Sequence, residues 1–259
     1  MRIALGQIRC IPGDVAGNTR TIVERIHFAA AEGAELIVLP EMSDTGYHMP
    51  TIIRTASSWD RGPFPEIAST AAKTRCTAVV GLSERAGSDI YNTVAVIGPD
   101  GTLTAKYRKT HLITAEPVCE QRHLRAGDST TVCKIGEWNV GLLTCYDIRF
   151  PELARKLTVG GAELLIAPAA FPAARITHWD TITACRAIEN QVYLAAANRV
   201  GEDEGLAFGG SSRLLDPFGT VMASAGAEED TLFGEISKTR LAEVRANLQV
   251  FTDRRPELY

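Results

Sequence analysis

No stretch of this chain approaches the ~18 consecutive apolar residues that a membrane-spanning helix needs. The opening segment, MRIALGQIRC, is equally poor as a leader. Its apolar part is short and alternates with Gly6, Gln7 and Arg9 instead of forming an unbroken core. Basic clusters are missing too: no Lys/Arg run exceeds two residues and the net charge is −4, which argues against a nucleic acid or an anionic membrane held by electrostatics. Six cysteines occur, at 10, 76, 119, 133, 145 and 185, with no CxxC pair and no histidine at zinc-finger spacing. Most are therefore expected to be free buried thiols in a cytoplasmic protein, and no metal is called for. Gly209-Gly210 lacks the strand and helix that a phosphate loop requires. With no fixed-period repeat and no low-complexity linker, residues 1–259 are expected to form one domain.

At 45% hydrophobic and 22% charged over 259 residues, the chain can bury a large core without staples. Its periodicity changes from one segment to the next. Arg2–Arg9 alternates like a strand, and the 18–32 segment repeats Ile22, Ile26 and Ala30 at helical spacing. Leu36–Leu39 is wholly apolar, as a strand covered on both faces would be. The 64–76 segment reads as helix and 77–82 as strand. Gly-Pro-Asp-Gly at 98–101 and Asp-Pro-Phe-Gly at 216–219 each separate two strand-like runs, predicting two hairpins. Between them come strand 140–145, helix 151–159, strand 164–167, helix 178–191 and strand 192–197. The Gly-rich, acidic segment 201–210 reads as a mobile loop. Hairpins mixed with helices that can cover only outer faces imply an α/β fold of two packed sheets with helices outside, four layers in all.

Three of these segments share a layout. LIVLPE runs off an apolar strand into Glu41. NVGLLTCYDIRFPE reaches Cys145 where its strand pattern stops, just before Pro151 opens a helix. KYRKTHL places Lys109 after a strand begun near Thr102. Residues beyond the carboxyl ends of strands can converge from distant segments, and the helix N-terminus and a cationic lysine would favour a Cys145 thiolate. Taken singly, Cys145 also fits a small buried hydrophobe, Glu41 a solvated strand end and Lys109 a charged edge.

Their flanks decide between the two. LPEMSDTGY, KYRKTHL and CYDIRFPE, in this order and spacing, resemble the signature segments of the nitrilase superfamily of carbon–nitrogen hydrolases. The likeness continues through PAAFP, HWDTITACRAIENQVYLAAANRVG and GGSSRLLDPFG, and so covers nearly the whole chain. The resemblance implies an αββα sandwich assembling into homodimers or larger homo-oligomers, for which the apolar-rich 182–188 helix is a candidate surface. It implies a Glu-Lys-Cys triad at Glu41, Lys109 and Cys145. It also implies a second glutamate before an FxPGD-like segment, here LRAGD at 124–128, for which Glu120 is preferred and Glu116 is the alternative. The expected chemistry needs no metal or organic cofactor. Glu41 takes the thiol proton, Cys145 attacks the amide carbon, Lys109 and the Tyr146 N–H face the oxyanion, and Glu120 helps position the reactants. The intact set argues against a binding-only role.

The residues after Cys145 resemble the amidase and ω-amidase-like branches. True nitrilases usually follow the cysteine with Trp-Glu, and carbamoyl-putrescine hydrolases with Trp-Asp-Gln. A small amide is therefore the expected substrate, with an N-carbamoyl compound as the alternative and a nitrile behind it. Arg149 could grip a substrate carboxylate, or pair with Glu152 or Asp147. Tyr47, Tyr146, Phe171 and Trp179 are expected to line the pocket. His111 and His178 are expected to serve packing or the pocket wall instead of a Cys-His dyad.

Overall fold

The structure, a computed structural model, describes Met1–Leu258. Fourteen strands alternate with helices: β1 (Arg2–Gln7), β2 (Leu36–Leu39), β3 (Thr77–Ala86), β4 (Asp89–Ile97), β5 (Leu103–Arg108), β6 (Thr131–Ile135), β7 (Trp138–Leu142), β8 (Leu164–Ala169), β9 (Tyr193–Asn198), β10 (Val200–Asp203), β11 (Leu206–Gly209), β12 (Arg213–Leu215), β13 (Val221–Ser224) and β14 (Asp230–Glu235). Among the described residues the α-helices are α1 (Val15–Ala31), α2 (Met49–Thr55), α3 (Pro63–Thr74), α4 (Pro151–Val159), α5 (Ile176–Asn190), α6 (Lys238–Asn247) and the single turn α7 (Val250–Asp253). Twelve strands form two sheets of six, in the orders β14-β1-β2-β3-β4-β5 and β13-β12-β9-β8-β7-β6. Each sheet has three parallel central strands flanked by antiparallel ones.

Strand alternation builds the four layers. Leu36 and Val38 of β2 meet Val140 and Leu142 of β7 and Leu164 and Ile166 of β8 between the sheets. The intervening residues Ile37 and Leu39 face the other way, onto Ile22 and Ile26 of α1 and Ile67 and Ala71 of α3. On the far side, Leu165 and Ala167 pack on Leu153 and Leu157 of α4 and Ala187 of α5. This is the expected αββα sandwich: apolar on both faces, each central strand must be covered twice. Asp14 caps α1 by accepting the Gly17 N–H. Among the described residues, no helix is long and apolar enough to cross a membrane.

The reading of residues 201–210 as a mobile loop is overturned. Strands β10 and β11 pair there in an antiparallel hairpin, with Val200 opposite Gly209 and Asp203 opposite Leu206. The buried ion pair between Asp203 and Arg199 fixes its base, and Phe208 is buried under Tyr47. Gly205 adopts positive φ at the turn of the hairpin and Gly201 does so within β10, so neither is a sign of slack chain.

Candidate active site

At one edge of the sandwich the carboxyl ends of strands from both sheets meet. Strand β2 ends at Leu39, and Pro40 carries the chain to Glu41, whose side chain is wholly buried. This passage depends on Gly81 of the neighbouring β3: a Cβ there would lie 2.5 Å from the Glu41 Cα and 2.4 Å from the Pro40 oxygen. Lys109 follows β5, and its N–H is fixed by the Asn92 carbonyl at 2.8 Å. Its own carbonyl accepts the Gly127 N–H at 2.8 Å, and a Cβ at Gly127 would come within 2.3 Å of the Arg108 oxygen. Glu120 opens a short 3₁₀ turn, and Cys119 before it holds a left-handed φ of 43°.

Cys145 begins the 3₁₀ turn Cys145–Arg149, immediately before α4, at φ 45°. Left-handed φ at a non-glycine residue is strained by roughly 1–3 kcal/mol, and it persists only where the surroundings over-determine it. Here the buried Asp147 carboxylate does so. It accepts from the Thr144 N–H at 3.0 Å, the Tyr107 hydroxyl at 2.8 Å and the His111 N–H at 3.0 Å. The turn that carries Cys145 is thereby tied to the strand and loop that carry Lys109.

The charged groups converge without solvent. Lys109 Nζ donates to Glu41 Oε1 and to Glu120 Oε1, each at 2.9 Å, and all three side chains are 0% exposed. Glu41 Oε1 also accepts from Asn92 at 2.6 Å, while Glu41 Oε2 accepts the Ala170 N–H at 2.8 Å. Glu120 Oε2 accepts the Ile113 N–H at 2.8 Å. Burial pushes the Cys145 thiol well above its ordinary range; Glu41 raises it further and Lys109 pulls it down. The pull of Lys109 toward the thiolate, expected from the sequence, is present but smaller than the opposing effect of burial. One lysine already shared by two carboxylates does not offset desolvation, so burial favours the protonated thiol. Among the described residues no cluster of histidine, cysteine or acidic side chains could hold a metal ion.

Cys145 lies at the wall of a cavity of about 520 Å³, lined also by Tyr47, Tyr146, Arg149, Phe171, Arg175 and His178. The Arg149 guanidinium stacks over Phe171 at 5.0 Å. It does not take Asp147, whose oxygens are already occupied. Trp179 does not line the cavity: it is fully buried behind Phe171, ring centroids 5.1 Å apart, and donates to the Ser211 carbonyl at 2.9 Å. One helical step separates it from His178 at the rim, and that step turns its ring onto the sheet. Glu116 borders the cavity but is exposed and paired with Arg122 at 2.8 Å, whereas Glu120 is wholly buried on Lys109. His111 bonds Asp147 through Nδ1 at 2.8 Å and stacks on Phe150.

Three participants were not picked out from the sequence. Asn92 is the polar interruption of an otherwise strand-forming YNTVAVI, a signal that was there to be read. Arg175 and the Ala170 N–H carry no such signal, since one looks like any surface arginine and the other is backbone.

The carbon–nitrogen hydrolase family model matches residues 2–246. The chain is 35% identical over 257 residues to the 2-oxoglutaramate amidase of Bacillus subtilis (strain 168), covering 97% of this chain and 98% of that protein. It is 35% identical to the omega-amidase NIT2 of Homo sapiens, covering 100% of this chain and 96% of that one. Among solved structures, it resembles Saccharomyces cerevisiae Nit3, a member of branch 10 of the nitrilase superfamily, with TM-score 0.90 and 27% identity, covering 98% of this chain and 96% of that chain. It also resembles the amidase from Nesterenkonia sp. AN1, with TM-score 0.89 and 27% identity, covering 100% of this chain and 95% of that chain. The structure compared is that of a mutant of the amidase showing covalent addition of the acetamide moiety of fluoroacetamide at its active-site cysteine.

Proposed function

The chain belongs to the carbon–nitrogen hydrolase family and cleaves amide C–N bonds, and from that premise we propose that Cys145, Glu41 and Lys109 carry the reaction, with Glu120 positioning them. The observation that carries this reading is the wholly buried Glu41–Lys109–Glu120 array beside the buried Cys145 at the cavity wall. Glu41 takes the Cys145 proton as sulfur attacks the amide carbon. An ammonium has three N–H groups, and Lys109 spends two on the glutamates. The third remains for the developing oxyanion, alongside the Tyr146 backbone N–H. Glu41 returns its proton to the departing nitrogen, and ammonia leaves a Cys145 thioester. Water, deprotonated by Glu41, then attacks the thioester; the carboxylic acid departs and the thiol regains its proton.

The substrate class follows from the cavity. Beside Cys145 its lining combines apolar surface, from Phe171, Tyr47 and Ala170, with the cations Arg149 and Arg175. An ω-amide of a short dicarboxylic acid has matching ends, a neutral amide to react and a carboxylate to grip. The names of its relatives agree with this class. The enzyme is read as one domain spanning 1–259, acting in the cytoplasm as a homodimer or larger homo-oligomer without a cofactor.

Ammonia release from a panel of ω-amides, neutral amides, N-carbamoyl amino acids and nitriles tests the assignment. Cys145→Ala should abolish turnover with the fold retained, since thiol to methyl is a small change in a packed site. Turnover within tenfold of wild type would remove Cys145 from the mechanism, and a panel led by carbamoyl compounds would replace the substrate class.

A further inference from the structure

One buried group in the site has been given no role. Asn92 on β4 is 1% exposed, and it meets both glutamates through its side chain and Lys109 through its backbone. Its carbonyl holds the Lys109 backbone N–H at 2.8 Å. Its Nδ2 donates to Glu41 Oε1 at 2.6 Å and reaches Glu120 Oε1 at 3.5 Å. Lys109 Nζ bonds the same two oxygens. Donors and acceptors therefore alternate around a closed ring, from Glu41 to Lys109 to Glu120 to Asn92 and back.

The orientation of the amide is forced. Turned over, Asn92 would aim its oxygen at two carboxylates, whereas as placed it aims two N–H bonds at them. The cost falls on Oδ1, which has no hydrogen-bond partner among the described residues. Asparagine is also a poor strand former, so β4 itself gains nothing from it. A buried residue that leaves one end unsatisfied and suits its strand badly is retained for what its other end does.

The ring also decides which oxygen is available as base. A carboxylate oxygen has two lone-pair positions. Glu41 Oε1 has both filled, by Lys109 and Asn92, while Oε2 accepts only the Ala170 N–H. We propose that Asn92 is a positioning residue that fixes Glu41 so that Oε2 is the atom that receives the Cys145 proton. Asn92 also tolerates what a second cation would not. Two carboxylates facing one ammonium leave the group one negative charge in excess, and a neutral donor steadies them without cancelling the charge that attracts the thiol proton. The other titratable groups facing Glu41 are Cys145 and Tyr47, both of which are neutral when protonated.

This inference rests on Glu41 being the base. Asn92→Ala removes the donor without adding charge, and Asn92→Asp is its isostere, able to donate only while protonated. With the full-length enzyme, kcat and KM are measured across pH, together with thermal melting. Asn92→Ala should lower kcat about ten- to a hundredfold, the scale of a misplaced reacting group, with KM little changed. Its acid limb should move to higher pH, because a carboxylate that loses a donor is protonated more readily. Asn92→Asp should work best on the acid side and fail as pH rises and the third carboxylate ionises. A wild-type pH profile in a folded Asn92→Ala overturns the proposal, and if that variant does not fold, a wild-type profile in Asn92→Asp does the same. Glu41→Gln in parallel separates the two levels: activity surviving there removes Glu41 itself, whereas activity lost there but undisturbed in the Asn92 variants removes only the role given to Asn92.

Discussion

The backbone N–H of Ala170 donates to Glu41 Oε2 at 2.8 Å, so a carboxylate leaving the first sheet is held by the end of a strand in the second. The reacting groups are therefore not carried by one rigid element. Their geometry depends on how the two sheets face each other, and this is set by the apolar layer of Leu36, Val38, Val140, Leu142 and Ile166 between them.

Glu41→Gln should expose this dependence. The carboxylate accepts three N–H donors over both oxygens, and an amide has only one oxygen. Whichever way it turns, its NH₂ faces a donor. An unmet buried donor costs about 1–3 kcal/mol, and each kcal/mol lowers the melting temperature by about 2–4 °C in a domain of this size. Turnover should fall on the order of 10²–10⁴-fold, the contribution of a general base. Glu41 holds the Cys145 thiol up while Lys109 pulls it down. Removing the negative charge should therefore shift alkylation of Cys145 by iodoacetamide to lower pH even as turnover is lost. Mass-spectrometric labelling rates against pH measure this directly, and an unchanged or more alkaline profile would mean that the charge of Glu41 does not act on the sulfur.

Gly81→Ala tests how tightly the Glu41 segment is wedged. The new methyl would meet backbone atoms of Pro40 and Glu41, not the end of a flexible side chain. Overpacking of this kind costs about 1–3 kcal/mol. Displacing Glu41 by about 1 Å should lower kcat on the order of 10²-fold. A variant with normal melting and normal kcat would show that the segment yields freely.

The apolar periodicity of residues 18–32, 151–159 and 164–167 was enough to lay out helices and central strands, because burial on one face or two leaves a direct pattern. The hairpin β10–β11 escaped because its glycines and acids look like slack chain, and what orders it is a buried ion pair with Arg199 that no local pattern announces. Strand β14 and helix α6 were also missed. In α6 only Leu241 and Val244 are buried, too few to print a helical stripe. For the site, the flanking motifs pointed to Glu41, Lys109 and Cys145, and the structure groups Glu41 and Glu120 on Lys109 with Cys145 facing them. Trp179 was expected at the cavity and lies behind it, whereas His178 lines the wall, since which neighbour on α5 faces the cavity depends on helix rotation against the sheet.

Acid should weaken the fold through Glu84, whose carboxylate accepts from Lys106 at 2.6 Å, Arg108 at 2.8 Å and Thr93 at 2.9 Å. Burial works against its ionisation, yet the hydrogen bonds from Arg108, Lys106 and Thr93 outweigh it and hold the carboxyl down at about 2, from 4.5. The unfolded chain takes up this proton near pH 4.5 and the folded chain only near 2. The contribution is therefore fully present above about 4.5 and is lost as pH falls toward 2. Glu84→Gln should be less stable at neutral pH by about 1.5–3 kcal/mol, the range for hydrogen bonds to a charged group. Its stability should also decline less steeply between pH 4.5 and 2. Urea midpoints across that window check both, and parallel curves for the two proteins would remove Glu84 from the account.

Arg149 carries the last prediction, because it distinguishes a substrate anchor from a packing residue. Its guanidinium stacks on Phe171 at the cavity wall, and the acidic side chains nearest in sequence do not hold it: Asp147 is committed to Thr144, Tyr107 and His111. Stacking leaves the edge of the fork free to meet a carboxylate with two parallel hydrogen bonds. If it does so, a dicarboxylic ω-amide should outperform a neutral amide of the same length by roughly ten- to a hundredfold in kcat/KM, the worth of a charge-assisted hydrogen bond. Arg149→Gln should erase that preference while sparing the neutral amide. Arg149→Lys should restore only part of it, since a compact ammonium cannot reproduce the fork. Arg175, at the same cavity, is the control: its replacement should reduce the preference less if Arg149 is the principal anchor. Measuring both substrates with each variant separates the cases. Equal losses on both amides, accompanied by a lower melting temperature, would mean that Arg149 serves the wall of the cavity through Phe171 and that selection for a carboxylate must be sought elsewhere.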